Sequence, residues 1–565
     1  MTVVTELDLP EIDYMSPGFG PDTYHRLLAE ARSESWIAHS PLAFIVLDRE
    51  SGDFFLRSKA TAFPGRQIAE IFGITSGRLY EHINANILNL TGDKHRRLRS
   101  LVGHAFTPRA ADRWRPVMRE FLRQLWDGMT KDGVAKDGTT SAEFVSAFAR
   151  PYPSRTVAAV LGAPVGDAPR LFRWANMVQR QFDVQALSTQ IPDIEQAAAE
   201  SYDYVEDLVA ARKRHPEDDL ISMIAQAEED GDRLSHDECV NLILNVIAGG
   251  IDTTQGQLSH GMLLFARHPG QWALLASAPE KLAPAATSEI VRFEPVAPIT
   301  ARICLEDIEH RGVTFPAGTI VAVSSERANR ETGDGETFDI AAPRDGKVFT
   351  FGAGAHHCLG VNLARAEIEE ALTFLAPRMP GLALDGDAEL GNIEGIYGVD
   401  ALPLRWTAAG QPATLPNNVD LHGVFVVTVG IVEIILAACK QMAHFSSGGA
   451  YAASQVPGGD RARSGAGTPD TPAFVAHWPV GADAHPVSEI PGPGGPGTDG
   501  GDVGQTGGHD ADPPRVSQPH PRPHGPGEFA ASASPVAKLR GRGLLGRRGA
   551  LASRRPPRGD DHRAG

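Results

Sequence analysis

The sequence predicts a mainly α-helical fold with small β-sheets, and three observations carry that expectation. Apolar side chains recur at three-and-four spacing in Trp114–Met129, Phe144–Leu161, Leu171–Phe182 and Ile194–Val209, the period of helices with one buried face. Residues 241–265 form one long, mostly apolar run, which reads as a helix buried on all sides. Alternating runs are short and few, at 43–57 and 313–323, enough for hairpins but not for a large sheet.

Composition narrows the function classes. A chain of 565 residues with 42% hydrophobic content can bury a large core. Lys+Arg 53 against Asp+Glu 70 gives a net charge of −17, which argues against general nucleic-acid binding. Cys239, Cys304, Cys358 and Cys439 are scattered without metal-type spacing, so neither a disulfide scaffold nor a zinc site is expected, and a reducing cytoplasm fits. Residues 1–14 contain acids and a proline but no apolar run, so neither a signal peptide nor an N-terminal anchor is expected.

Taken in order, residues 21–33 read as a short helix, and 43–57 as a hairpin turning at Glu50-Ser51-Gly52. Residues 62–90 mix Gly, Pro and apolar side chains without a period, which suits either a mobile lid over a pocket or an ordinary surface connection. His95 and Arg99 are four apart, so they share a helical face and can both point at one anion; a solvated basic face is the other reading. Arg96, Arg97, Arg109, Arg113, Arg115 and Arg119 make this neighbourhood basic within an acidic chain. That contrast suits a docking patch for an acidic partner, or a surface that is basic for solubility alone. Pro151, Pro153, Pro164 and Pro192 mark breaks between the helices that follow.

In the middle of the 241–265 run, Gly249 and Gly250 each cost about 1 kcal/mol against Ala, and Thr253 or Thr254 can divert a carbonyl from the helix ladder. Either the helix opens locally to admit a ligand, or a helix crossing needs small residues there. Asn245, one turn before Gly249, faces a pocket or is paired in the core. Glu289 and Arg292, three apart on one helix, can pair. Residues 313–323 read as a hairpin around Pro316–Gly318.

Residues 351–360 read Phe-Gly-Ala-Gly-Ala-His-His-Cys-Leu-Gly, and a helical repeat starts where the glycines stop. Such a tight backbone can aim N–H groups at one sulfur. A helix N-terminus beside Cys358 would lower its thiol pKa and make it a thiolate ligand. A buried structural cysteine beside a glycine turn is the bland alternative.

The ten-residue pattern as a whole resembles the haem-ligand loop of the cytochrome P450 family, in the form its soluble bacterial members carry. The resemblance implies a P450 fold over residues 1–408, with the haem between a long central helix and the helix after the Cys loop. It implies heme b with Cys358 as the axial metal ligand, Phe351 packed beside the sulfur, Gly352 and Gly360 shaping the loop, and His356 on a haem propionate. The stretch 92–109 resembles the family's His-x-x-x-Arg element, which makes His95 and Arg99 propionate ligands. Ala248-Gly249-Gly250-Ile251-Asp252-Thr253-Thr254 resembles its oxygen-activation motif. There Ala248 and Gly249 lie against the haem, Thr253 hydrogen-bonds the bound oxygen and Asp252 relays protons. Residues 288–302 resemble the Glu-x-x-Arg element, with Glu289 and Arg292 a buried structural pair, Arg302 a further propionate ligand and Ile299 in the substrate pocket. The arginine expected soon after Phe338-Asp339-Ile340 comes only at Arg344, beyond Ala341-Ala342-Pro343, which leaves the third partner of that pair open, with Arg344 as a candidate. Residues 395–406 resemble the final hairpin that brushes the substrate, with Ile396 there and Asn245 as a polar substrate contact. By analogy 182–191 is a substrate lid.

The implied activity is that of a cytoplasmic haem-thiolate monooxygenase that inserts one atom of O2 into a mostly apolar small organic molecule. Its electrons would come from NAD(P)H through a separate ferredoxin and reductase. A peroxide-driven peroxygenase and a non-catalytic haem-based ligand sensor are the alternatives, and Asp252-Thr253 favours the monooxygenase over both. From 409 to 565 the composition changes abruptly. The apolar run 423–439 is interrupted by Glu433 and falls short of the about 20 residues of a membrane helix, so no membrane contact is expected from it. Residues 446–530 read as disorder, 538–563 are arginine-rich, and the extension as a whole is of low complexity. Read-through or a shifted frame is the simplest source of so sharp a change.

Overall fold

The computed structural model describes residues 2–407, apart from 15, 17–18, 132–134, 136–137, 230–233, 332, 345–346 and 394. The expected extension 409–565, with its apolar run 423–439, lies outside the described residues. The chain starts with β1 (Thr2–Val3), α1 (Tyr24–Glu34), β2 (Ile37–His39), β3 (Phe44–Val46), α2 (Arg49–Arg57) and β4 (Thr61–Ala62). The 43–57 hairpin does not form: β3 pairs with β2, and the second half of the segment is helix α2. Asp48 decides this, because its side chain accepts the Ser51 N–H at 2.8 Å and an N-cap overrides weak alternation.

Residues 62–90 are also more ordered than a loop, forming α3 (Gly65–Ile71) and α4 (Arg78–Ala85). The first N–H groups of α4, which have no partner within the helix, donate from Arg78 and Leu79 to Glu195 at 2.6 and 3.0 Å. The segment is thus pinned to a distant helix.

Next come α5 (Gly92–Gly103), α6 (Pro108–Asp112), α7 (Arg115–Met129), β5 (Thr139–Glu143), α8 (Pro151–Leu161), α9 (Ala168–Gln179), α10 (Val184–Thr189), α11 (Ile191–Arg214), α12 (Leu220–Glu229) and α13 (His236–Arg267). The expected helices are present, with β5 an unforeseen strand that pairs with the C-terminal one. Pro151 and Pro192 occupy the first turns of α8 and α11, where a missing N–H costs nothing, and so mark helix starts as expected; Pro153 lies inside α8 and marks no break. Helix α13 starts at a capping box, Ser235 with Glu238, and stays helical through Gly249 and Gly250. The expected local opening is absent. Packing by α8, α9 and α11 holds the glycines in the helix.

The chain continues through α14 (Pro269–Ser277), α15 (Pro279–Phe293), β6 (Ile299–Cys304), β7 (Ile308–His310), β8 (Val313–Phe315), β9 (Ile320–Ser324), α16 (Ser325–Arg330), α17 (Val361–Leu375), β10 (Ala383–Leu384), β11 (Glu389–Leu390), β12 (Val399–Ala401) and β13 (Pro403–Thr407). The largest sheet has the order β2-β3-β9-β6-β4, and β8 belongs to a separate sheet, β1-β8-β7. Residues 313–323 are therefore not a hairpin; the turn at Pro316–Gly318 passes from one sheet to another. Likewise β12 pairs with β11 and β13 with β10 and β5, so 395–406 is not a hairpin either. The main apolar core surrounds α13, and two smaller clusters lie beside the five-stranded sheet.

Two buried ionic clusters tie this frame together. Glu289 receives Arg292 at 2.7 Å through both oxygens, and Arg344 at 3.0 and 3.2 Å. Arg344 thus fills the displaced third position, and Arg292 also donates to the Gly335 and Thr337 carbonyls at 2.8 and 2.9 Å. In the second cluster, the His25 ring nitrogens lie 2.9 Å from Glu326 and 3.0 Å from Glu294, so both carry protons and the ring is cationic. Burial opposes that charge, but the hydrogen bonds to Glu294 and Glu326 outweigh it and raise the His25 pKa. Against the cost of burial, His25 holds the Glu294 carboxyl down to about 2.

A raised histidine pKa stabilises the fold fully below the unfolded value of about 6.5 and loses that contribution as pH rises through the folded value. His25→Gln is therefore expected to cost about 1–2 kcal/mol at mildly acidic pH. The difference from wild type should shrink in alkaline buffer, as read from urea unfolding at the two pH values.

Candidate active site

The Cys358 loop is built by backbone geometry. Gly352 and Gly354 take φ of 64° and 67°, a region that disfavours side chains. A Cβ on Gly354 would also lie 2.9 Å from the Leu56 carbonyl oxygen and 3.0 Å from the Arg57 Cα, so the loop rests on the end of α2. The Cys358 N–H donates to the Phe351 carbonyl at 2.8 Å, and α17 starts at Val361. Asn329 holds the approach, accepting the Phe349 N–H at 2.7 Å and donating to the Thr350 hydroxyl at 3.0 Å. The thiol differs from the expected low pKa: burial raises it, outweighing the Gly360 N–H and the charge of Arg99.

Beside the loop, four basic side chains meet without an acid. His95 is 3% exposed, its Nε2 has no partner, and its ring lies 4.2 Å from that of His356. Arg302 is 4% exposed and reaches only the carbonyl of its neighbour Ala301, at 2.9 Å; burial lowers it to about 10. Arg99 donates to the His357 carbonyl, and burial lowers it too. Burial and the charges of His95, Arg302 and Arg99 bring His356 to about 3. Buried charge is costly unless paired, so this cluster calls for an anion.

One cavity of about 500 Å³ joins these groups to α13. His95, Arg99, Asn245, Ala248, Gly249, Thr253, Ile299, Arg302, Phe351, Gly352, His356, Cys358, Gly360 and Ile396 all line it. A Cβ on Gly249 or on Gly360 would meet nothing within 4 Å; both glycines leave the space free. Thr253 donates its hydroxyl to the Gly249 carbonyl at 2.8 Å. Asn245 accepts the Ile87 N–H at 3.2 Å and donates to the Asn241 carbonyl, so it is paired as well as cavity-lining. Asp252 is not among the lining residues. Its carboxylate accepts from Asn176 of α9 at 3.1 Å, and burial raises its pKa. Glu289 and Arg292 also lie outside the lining and bond to the chain at residues 335–339 instead.

The segments read as covering the pocket do contribute, with Phe63, Ile68 and Phe72 from one and Phe182 and Val184 from the other. Val157 and Val160 of α8 and Gln179 of α9 line the cavity without having been singled out. For Gln179 a trace existed in the sequence: it is a polar residue on the stripe set by Leu171, Ala175 and Val178. The basic patch is largely neutralised within the chain. Arg115 meets Glu369 at 2.7 Å, Arg119 meets Glu370 at 2.7 Å, Arg97 meets Glu238 at 2.6 Å, Arg113 meets Asp218 at 3.8 Å and Arg96 meets Asp93.

The family model for Cytochrome P450 matches residues 72–273 and 281–375, a span that includes α13 and the Cys358 loop. The chain belongs to the cytochrome P450 family. It is 35% identical over 406 residues to the luteothin monooxygenase of Streptomyces thioluteus, covering 71% of this chain and 97% of the relative. It is 34% identical to the mycinamicin IV hydroxylase/epoxidase of Micromonospora griseorubida, covering 58% of this chain and 81% of the relative. Among solved structures, P450BioI in complex with hexadec-9Z-enoic acid ligated acyl carrier protein matches with a TM-score of 0.62 and 27% identity, over 68% of this chain and 99% of that one.

This P450 is a monooxygenase, and its family implies a haem cofactor, a small-molecule substrate and O2. The residues present fit the haem. The orphaned His95 Nε2 and the unpaired Arg302 await carboxylates, and the open faces of Gly249 and Gly360 leave room for a flat group. Among the described residues, no helix is long and apolar enough to cross a membrane.

Because Arg302 is a buried cation without a counter-ion among the described residues, Arg302→Met is expected to stabilise the haem-free protein by about 1–3 kcal/mol. The same change should speed haem loss about tenfold. Thermal unfolding of the haem-free form and transfer of haem to apomyoglobin measure the two effects.

Proposed function

We propose that this P450 inserts one oxygen atom from O2 into a mostly apolar small organic molecule, using heme b with Cys358 as the axial thiolate. The observation that carries the reading is the single cavity with Cys358 and the basic cluster at one side, and Gly249 and Thr253 of α13 on its wall. Haem, when bound, supplies the activation of O2. His95, Arg99, Arg302 and His356 hold its carboxylates, and the Gly360 N–H and the Arg99 charge favour the thiolate of Cys358. A cationic haem centre beside the sulfur would favour the thiolate, and the proton that burial holds on Cys358 would be released to solvent.

On the cavity wall, Thr253 has its own proton on the Gly249 carbonyl. Its lone pairs are therefore free to accept from a water, so it orients a proton donor instead of being one. Asp252 is that chain's acid: burial raises its carboxyl, and Asn176 holds it on the α9 side. A proton passes inward when the carboxyl turns from Asn176 toward water held at Thr253. Mostly apolar walls from Phe63, Phe182, Ile299 and Ile396 exclude bulk water and bind an apolar substrate. The solved neighbour in complex with hexadec-9Z-enoic acid ligated acyl carrier protein supports an occupant with an apolar chain.

Electrons come from NAD(P)H through a ferredoxin and its reductase. Exposed His357, next to Cys358, lies in the field of Arg57, Arg99, Lys347 and Arg365, a positive site that an acidic ferredoxin would complement. The catalytic unit is residues 1–408, with 409–565 an extension, and the setting is the cytoplasm.

Cys358→Ala is expected to abolish the thiolate-type absorption of the reduced carbon monoxide complex. Thr253→Ala should keep that spectrum while product formed per NAD(P)H falls about tenfold or more; unchanged coupling would remove Thr253 from the proton path. Product formed with peroxide but not with reduced ferredoxin would replace the monooxygenase reading by a peroxygenase one.

A further inference from the structure

Among the described residues, each amide that lines the cavity holds at least one bond to the protein, with one exception. Asn245 bonds Ile87 and Asn241. Asn86 accepts the Leu88 N–H at 2.9 Å. Gln257 donates to the Glu294 carbonyl at 2.8 Å and accepts the Val296 N–H at 3.2 Å. Gln179, the last residue of α9, is 7% exposed and lines the same cavity, yet its side chain has no hydrogen-bond partner among the described residues. Its amide is therefore open to the cavity and free to bond a ligand there.

Its position is fixed by its neighbours. One turn earlier on α9, Asn176 is bound to Asp252 of α13, which locks the end of α9 against the helix that carries Thr253. Three residues later, Phe182 meets Phe63 edge-on with ring centroids 5.6 Å apart. Gln179 is thus a polar point set in an apolar wall, near the residues proposed to handle protons.

We infer that Gln179 is a specificity-determining residue, which donates from Nε2 to a carbonyl or hydroxyl oxygen on an otherwise apolar substrate. The inference deepens the proposed function and rests on it. A single polar anchor cannot bind such a molecule alone, but it selects which end enters first. It thereby decides which carbon is presented to the oxidising centre.

The test uses the full haem-loaded chain and two probes, n-dodecane and the methyl ketone of the same chain length, titrated by the shift of the haem Soret band. Wild type is expected to bind the ketone about three- to tenfold more tightly than the hydrocarbon. Gln179→Leu, and Gln179→Met as a second variant of similar volume, should erase that preference while leaving hydrocarbon affinity unchanged or improved. A preference that survives in both variants, or one absent from wild type although both probes bind, overturns the assignment of Gln179 alone. If neither probe shifts the band, the apolar-substrate reading falls, and this inference with it.

Discussion

The space between α13 and the Cys358 loop has to stay empty of protein, and much of the structure follows from that constraint. Gly249 on one side and Gly360 on the other withhold the side chains that would close it. An unfilled gap in a close-packed interior loses contacts, so the walls need support from outside. Glu289, Arg292 and Arg344 provide it on the loop side by fastening α15 to the backbone at 335–337. Asn329 then ties α16 to residues 349 and 350. On the other side α13 stays helical through its two glycines, packed by α8, α9 and α11.

The same gap gathers basic groups, two of them the charged guanidinium groups of Arg99 and Arg302 and two of them imidazoles that burial keeps neutral. His95, Arg99, Arg302 and His356 reach it from α5, β6 and the Cys loop, and none forms an ion pair among the described residues. The chain bears an unfavourable desolvation cost at this site that a bound dianionic group would relieve. Binding and stability are linked in that way: a ligand carrying the missing anions stabilises the folded state in proportion to its affinity. The thiol behaves in parallel, since burial raises it until a cation meets the sulfur.

Polar groups on the substrate side are used differently. Asn245, Gln257 and Thr253 are occupied by backbone partners, so they shape the wall while contributing little hydrogen-bonding capacity to a ligand. Asp252 is turned from the cavity onto Asn176 of α9 and does not join its wall. This arrangement leaves the cavity wall mostly apolar.

Much of the site was legible in the sequence because its signals are local. A glycine turn followed by a helix, a His and Arg one turn apart, and an acid–threonine pair in a long apolar helix depend only on neighbours along the chain. Local propensity also misled, at 43–57, where Asp48 caps a helix inside an apparently alternating run, and at 313–323, where adjacent strands enter different sheets. Such outcomes depend on which distant strand supplies hydrogen bonds, and β-pairing is non-local. The sequence by itself determined the helical frame, the Cys358 loop and which residues could face an anion. Only the tertiary structure decided that Arg344 completes the Glu289 cluster, that Asp252 turns away from the cavity and that Gln179 turns into it, because burial and pairing are set by contacts between segments far apart in the chain.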